Sequence, residues 1–271
     1  MKLNKKDFSK AEFQSLMRER SEKKRQKKLA KLYKNNTTKY NILCLKHGTK
    51  YNSHYVNVLY NMIQRNLIGD FNLYCLTEDP KGIDERIHII PLPNLPLFGW
   101  WYKPYIFSAE IPIIGTILFF DLDIIISSNI NKLFDYAPNK CCILRDFIKL
   151  VRPSWNRYNS SIIRYNSKEL DFVWQTFINN HQHYMRKYHG DQDFLFEVFD
   201  KKATYWPDAW IKSWKWEIRK SKQVNLNSSK GKRKFLQIEN VVPNPECCIQ
   251  VFHGDPNPHN CDDPFIIKHW K

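Results

Sequence analysis

The chain has 271 residues, 42% of them hydrophobic and 15% aromatic, and a formal net charge of +16. That length and apolar content suit one large domain or two small ones and exclude global disorder. No apolar run reaches the ~18 residues of a membrane span, and the charged N-terminus lacks the apolar segment of a secretory signal.

Charge is unevenly spread. Residues 1–39 carry 14 Lys or Arg against 4 Asp or Glu, a net of +10, which leaves +6 for everything after them. Residues 1–36 predict one charged helix, rich in helix formers and free of Gly and Pro. Phe13, Leu16, Met17, Leu29, Leu32 and Tyr33 are its sparse apolar contacts. Such an arm suits anionic lipid or nucleic acid, or is a solvated helix held weakly at its ends. Asn35-Asn36-Thr37-Thr38 ends it as a linker, and a globular domain is expected over 40–271.

The next elements predict a βαβ unit. Asn41 to Leu45 is a short buried strand, and Lys46 to Ser53 is the loop after it. Tyr55, Val58, Leu59, Met62 and Ile63 share one helical face. Phe71 to Leu76 and Ile87 to Ile90 are further strands, so a parallel sheet follows. Pro91 to Trp101 is excluded from helix by its prolines, and Lys103-Pro104 opens one.

The segment FFDLDIII, Phe119 to Ile126, reads as a strand buried on both faces. Residues two apart in an extended chain share a side, so Asp121 and Asp123 aim together and Leu122 faces away. Two like carboxylates beside apolar strands repel and are costly to desolvate. A divalent cation offsets both costs, and oxygen ligands suit Mg²⁺ or Mn²⁺. A solvated Asp-x-Asp turn is the alternative.

Cys141 to Leu144 is a strand. Arg157 to Asn166 is a polar turn entering a strand at Ser161. Asn166 or Ser167 caps a helix to about Asn180 whose inner face is Phe172, Val173, Phe177 and Ile178. Gly190-Asp191 starts another helix. Residues 219–234 are basic and polar and predict a mobile loop. Ile249 to Phe252 is a last strand running into a Pro-rich turn, with His253 at its end and Gly254 allowing a sharp bend. The seven cysteines include two adjacent pairs and no zinc-like spacing, so reduced thiols in a cytoplasmic protein are expected.

Several blocks, in this order, carry a resemblance: LKHGTKYNSHYVNVLY, WWYKPYIF, LFFDLDIII, NSSIIRYN, GDQDFL, WPDAWIKSWKW and VFHGDPNPH. Together, over most of 40–260, the chain resembles GT-A-fold glycosyltransferases, glycogenin and bacterial lipooligosaccharide galactosyltransferases among them. The resemblance implies an α/β fold, a Rossmann-like mixed sheet flanked by helices, and transfer of a sugar, with retention, from a nucleotide-diphosphate donor. The donor expected first is a UDP-sugar, and the acceptor a glycan, lipid or protein. Asp121, Asp123 and His253 would hold Mn²⁺ or Mg²⁺, and a neutral imidazole favours Mn²⁺. The donor would meet Lys46, Thr49, Lys50 and Tyr51 at the nucleoside, and Lys103, Asp121, Lys215 and Gly254 around the diphosphate. Asn159 and Ser160 match the segment lining the sugar pocket, while Asp191 and Gln192 match the one beside the reacting carbon. Where the family carries a basic residue before the second proline of the late motif, this chain has Asn257. That moves the phosphate contact to Lys215 or the 219–234 segment.

Each site residue has a plainer alternative. Asp191 could simply cap its helix, His253 could bond backbone, Lys103 and Lys215 could be exposed, and most of the tryptophans could be packing. Other functions are weighed against transfer. A nucleic-acid-binding protein needs basic residues across the globular face, which +6 does not supply. A phosphohydrolase wants its Asp pair after the first strand. A non-catalytic relative of the transferases stays open through Asn257.

Overall fold

The computed structural model describes residues 40–224, 234–239 and 244–271, and within the N-terminal arm only Phe13, Leu16, Met17, Arg20 and Lys24, all helical. The rest of the expected 1–36 helix and its linker lie outside the described residues.

The first half alternates strand and helix: β1 (Tyr40–Lys46), α1 (Ser53–Asn66), β2 (Phe71–Thr77) and β3 (His88–Pro91). The apolar face of α1 buries Tyr55, Val56, Val58, Leu59, Met62 and Ile63. A 3-10 helix, Gly99–Phe107, then leads to β4 (Thr116–Phe120) and β5 (Ile124–Ile126). This helix starts at Gly99, not at Lys103, and Pro104 lies inside it. The prolines up to Pro96 do keep the preceding stretch out of helix.

Next come α2 (Asn131–Asp135), β6 (Cys142–Arg145), a 3-10 turn (Phe147–Leu150) and β7 (Tyr158–Asn166). Then follow α3 (Asp171–Asn179), α4 (His181–Lys187), α5 (Asp191–Val198), β8 (Thr204–Tyr205) and β9 (Ile211–Ser213). A π-turn (Trp214–Ile218) leads to β10 (Lys220–Val224), β11 (Lys234–Glu239) and β12 (Ile249–Val251). A 3-10 turn (Pro258–Asn260) and α6 (Pro264–His269) close the described chain.

The main sheet runs β3-β2-β1-β4-β7-β6-β8. Its first four strands are parallel, while β7 is antiparallel to both β4 and β6. A second sheet, β5-β12-β9, lies beside it. Alternate residues of β1 and β4 point into two cores. Ile42, Cys44, Leu118 and Phe120 pack under α1 and the small sheet. Leu43, Ile117 and Phe119 pack under the long 3-10 helix with Phe177 and Phe194. Helices and the small sheet thus cover both faces, which is why these strands read as continuous apolar runs.

Four local expectations are corrected. FFDLDIII is two strands in two sheets with a bend at Asp121–Asp123, where the chain leaves the β4–β7 ladder for the β5–β12 ladder. Leu122 nonetheless faces the core, at 2% exposure. β7 starts at Tyr158, not Ser161: its polar first residues are buried because β6 and β4 flank them. The helix expected from Asn166 starts at Asp171, whose Oδ1 accepts from the Ala109 N–H at 2.7 Å. Its inner face uses Trp174, while Phe172 is exposed. Finally, the expected 219–234 loop contains β10, which pairs with β11 as an antiparallel hairpin. Among the described residues no helix is long and apolar enough to cross a membrane.

Candidate active site

The Asp121–Asp123 bend joins the two sheets. The Asp121 N–H donates to Ser161 O at 2.8 Å, extending the β4–β7 ladder. On the other side Asp123 O accepts from the Phe252 N–H at 3.0 Å, extending the β5–β12 ladder. The bend is thus pinned from both sheets, and it lies at the carboxyl end of β4, the rim where open α/β sheets hold ligands.

Lys103 reaches this bend from the long 3-10 helix. Its Nζ lies 2.8 Å from Asp121 Oδ1, 2.9 Å from Ser160 Oγ and 3.7 Å from Asp191 Oδ2. Ser160 Oγ donates to Asp191 Oδ2 at 2.6 Å. Four elements therefore meet in one buried polar cluster, with Lys103 at 6%, Asp191 at 3% and Ser160 at 1% exposure. Burial pulls against the Lys103 ammonium, but Asp121 and Asp191 outweigh it, so its pKa is raised and it stays charged. Burial raises Asp191, opposed by Lys103 and Ser160. Asp191 does not cap its own helix: Gly190 takes that position, and the carboxylate is spent on Ser160 and Lys103.

Asp123 is held differently. Tyr51 OH donates to its Oδ2 at 2.8 Å, which places the Lys46–Tyr51 loop and the Asp bend on one rim. Burial and repulsion from Asp121 push the Asp123 carboxyl up to about 6. Burial and the Asp123 charge push the Tyr51 hydroxyl well above its ordinary range. The expectation that Tyr51 lies by the nucleoside is thus joined by a second role, bracing Asp123.

Strand pairing brings His253 beside the bend, one residue after Phe252. Its ring, however, turns to Ser213, with Nε2 2.6 Å from Ser213 Oγ. The Trp216 N–H donates to that same oxygen, so we assign the hydroxyl proton to Nε2 and the ring proton to Nδ1. Phe147 stacks on the ring at 5.6 Å, and Trp216 meets it edge-on at 4.7 Å. Burial and Lys215 lower His253 to about 4, so the ring is neutral at pH 7. Among the described residues no three His, Cys, Asp or Glu side chains converge as a ready-made metal set. Ser213 holds the ring nitrogen that would complete one.

The other expected residues fall as follows. Lys46 is buried at the end of β1, and its Nζ bonds Asp79 O at 3.3 Å. Thr49 and Lys50 are exposed, with the Lys50 Nζ 4.7 Å from the centre of the Tyr51 ring. Asn159 is buried, its Oδ1 accepting from the Ser161 N–H at 3.1 Å. Gln192 is half-buried on the first turn of α5. Gly254 has φ +77, and a Cβ there would lie 3.7 Å from Lys215 Nζ, so Lys215 sits against the His-Gly turn. Asn257 keeps to its own turn, its N–H donating to Asn260 Oδ1 at 2.7 Å. Trp101, Trp206 and Trp214 are core, while Trp100 and Trp216 are exposed. Ser213 and Phe147 were not legible as site residues. Their roles depend on β9 pairing with β12, where Ser213 faces Val251, and on a loop closing from β6.

Glycosyltransferases are among the solved structures similar to this chain. The galactosyltransferase LgtC, in complex with donor and acceptor sugar analogues, has a TM-score of 0.59 at 11% identity, covering 83% of this chain and 91% of that one. The bifunctional glycosyltransferase WbbM without ligand has a TM-score of 0.55 at 12% identity, covering 86% of this chain and 50% of that one. The glycosyltransferase GlyE of Streptococcus pneumoniae has a TM-score of 0.50 at 14% identity, covering 64% and 46%. No family profile and no curated protein matches the sequence. Likeness at this identity establishes the fold: the chain has the GT-A-type glycosyltransferase fold.

Proposed function

We propose that this chain is a metal-dependent glycosyltransferase. It moves a sugar from a nucleotide-diphosphate sugar, in the first place a UDP-sugar, to a glycan, lipid or protein acceptor. The observation that carries the reading is the buried Lys103 between Asp121 and Asp191 at the carboxyl rim of the sheet. A buried charge cluster is costly to fold and is most easily understood where ligands bind.

The donor set suits a divalent cation. Asp121 and Asp123 offer hard oxygens, and ionising both is what the fold makes expensive. His253 supplies a neutral nitrogen once Ser213 releases it, which favours Mn²⁺ over Mg²⁺. Bound there, the metal would supply Lewis-acid stabilisation of the departing diphosphate. Lys103 adds a fixed positive charge, and Lys215 beside Gly254 takes the phosphate contact that Asn257 cannot make. Lys46, Thr49, Lys50 and Tyr51 line the nucleoside side.

Asn159 and Ser160 line the sugar side, with Ser160 acting through Asp191 and Lys103, which its buried hydroxyl holds in place. Asp191 orients the acceptor hydroxyl or takes its proton, its raised pKa suiting a base. Gln192 offers a neutral amide next to it. The similar LgtC structures include one in which an active-site glutamine is replaced, and Gln192 is our candidate for that role here.

Residues 1–39 serve as an arm before a catalytic domain over 40–271, with the arm touching anionic membrane. A cytoplasmic location suits the seven unpaired cysteines. The decisive test is a panel of nucleotide sugars with Mn²⁺, read as release of nucleoside diphosphate. No release from any donor, together with no thermal stabilisation by any, would overturn the reading.

A further inference from the structure

Residues Phe147 to Arg157 form a loop between β6 and β7 that carries three basic residues and no acidic one. It is braced from behind. Arg145 donates to Pro153 O at 2.7 Å and to Trp155 O at 3.1 Å. Asp146 caps the 3-10 turn by accepting from the Ile148 N–H at 2.8 Å, and its own N–H donates to Arg157 O at 2.9 Å. Phe147, buried, roots the loop on the His253 ring.

This bracing holds two aliphatic side chains out in solvent. Leu150 is 43% and Val151 72% exposed. Across His253, on the π-turn, Trp216 is 38% exposed. A single exposed aliphatic residue needs no explanation. Here two exposed neighbours lie on a loop that Phe147 roots on the His253 ring, and an exposed tryptophan from another segment meets the same ring edge-on. Arg152 follows Val151 directly, and Lys215 precedes the tryptophan. Lys149 is engaged with Asp208. Aliphatic residues and tryptophan beside basic side chains are the composition of an interfacial surface: apolar groups enter the acyl boundary while cations meet anionic headgroups.

We propose that the rim formed by Leu150, Val151 and Trp216 is a docking surface for an anionic lipid bilayer. It would turn the mouth of the site toward acceptors held at that surface. The bilayer contact does not depend on the transfer chemistry, so it can be read without donor, and failure of one leaves the other standing. It is also distinct from electrostatic attraction by the basic arm, which weakens as salt rises.

The test uses the full chain in flotation with phosphatidylcholine vesicles, with and without phosphatidylglycerol, at low and high salt. The parent should bind the anionic vesicles and keep part of that binding at high salt. Leu150→Ser with Val151→Ser should lower the salt-resistant affinity about tenfold, with turnover of a water-soluble acceptor unchanged. Val151→Cys carrying an environment-sensitive fluorophore should shift to the blue on anionic vesicles. The proposal falls if the double variant binds like the parent at high salt, or if the label shows no shift. It also falls if the double variant loses turnover of the soluble acceptor in proportion, because the rim would then be contacting the acceptor itself.

Discussion

The Nζ of Lys103 lies 2.8 Å from Oδ1 of Asp121, with the lysine arriving from a 3-10 helix and the aspartate from the bend between two sheets. Asp191, from the start of a third element, completes the set at 3.7 Å. One ammonium therefore compensates two carboxylates inside the protein. Its removal strands both charges, whereas removal of one charge with its partner does not.

Lys103→Met should accordingly cost about 3–5 kcal/mol of stability, the range for breaking a buried pair. Adding Asp191→Asn should return part of that loss, because the uncompensated charge goes with it. Urea unfolding of the two single variants and the double variant measures the coupling. Strictly additive losses would contradict the shared-cation geometry. Activity should be lost in all three.

Asp123 gives a pH signature. Its carboxyl is raised to about 6 in the folded chain from an ordinary value of 3.8, by burial and by Asp121. Between those values the folded state binds more protons than the unfolded state, so this group's contribution to stability falls as pH rises from about 4 to about 6 and stays lower above. The loss is on the order of 2–3 kcal/mol. Thermal melts of metal-free protein should therefore fall across that window, and Asp123→Asn should flatten the fall. Mn²⁺ should stabilise the parent more at neutral pH than at about pH 5, where a proton competes for the same oxygen. A profile identical in parent and Asn variant would remove Asp123 from this role.

Arg164 makes a structural prediction. At 2% exposure it donates to the carbonyls of Leu133, Phe134 and Lys140 at 3.3, 3.0 and 3.0 Å, and also to Tyr136 and Ala137. The turn it gathers holds Ala137 at φ +42 and Asn139 at φ +61, a conformation that needs outside support. Lysine lacks the planar fork and leaves buried carbonyls unpaired, so Arg164→Lys should cost about 1–3 kcal/mol and loosen hydrogen-exchange protection of residues 133–140 first. Protection lost evenly across the domain would argue against a local clamp.

What the sequence made legible follows from periodicity. β1, α1, β2 and β3 were readable because each buries a face with its own period, and Asp121 and Asp123 stood out as charges among apolar strands. The sheet change at those aspartates was not readable, since Phe119–Ile126 is equally apolar on either side of the bend. Tyr158, Asn159 and Ser160 looked like a turn because their polarity is satisfied by tertiary partners: Ser160 by Lys103 and Asp191, which come from 57 and 31 residues away. Gly190-Asp191 resembled a helix cap, and only the fold shows the carboxylate turned elsewhere. Arg164 read as one more basic residue in a strand, because five carbonyl partners in one turn leave no sequence signal.

The Ser213–His253 contact makes the sharpest prediction about the metal. The ring is neutral down to about pH 4, because burial and Lys215 oppose its protonation. Loss of Mn²⁺ affinity on acidification should therefore follow Asp123, so that Asp123→Asn moves its midpoint. Ser213 Oγ occupies Nε2 in the metal-free chain, and that bond at 2.6 Å must break before the nitrogen can coordinate. Ser213→Ala removes this competition, so Mn²⁺ affinity should rise several-fold, the net worth of one hydrogen bond. The pH midpoint should not move, since Asp123 is untouched. His253→Ala should do the opposite, weakening Mn²⁺ and nucleotide binding together because the metal links them. Titration calorimetry of Mn²⁺ with and without nucleoside diphosphate separates these outcomes. Unchanged Mn²⁺ affinity in His253→Ala would exclude the ring as a ligand. Weaker binding in Ser213→Ala would mean that the serine supports the ligand rather than masking it.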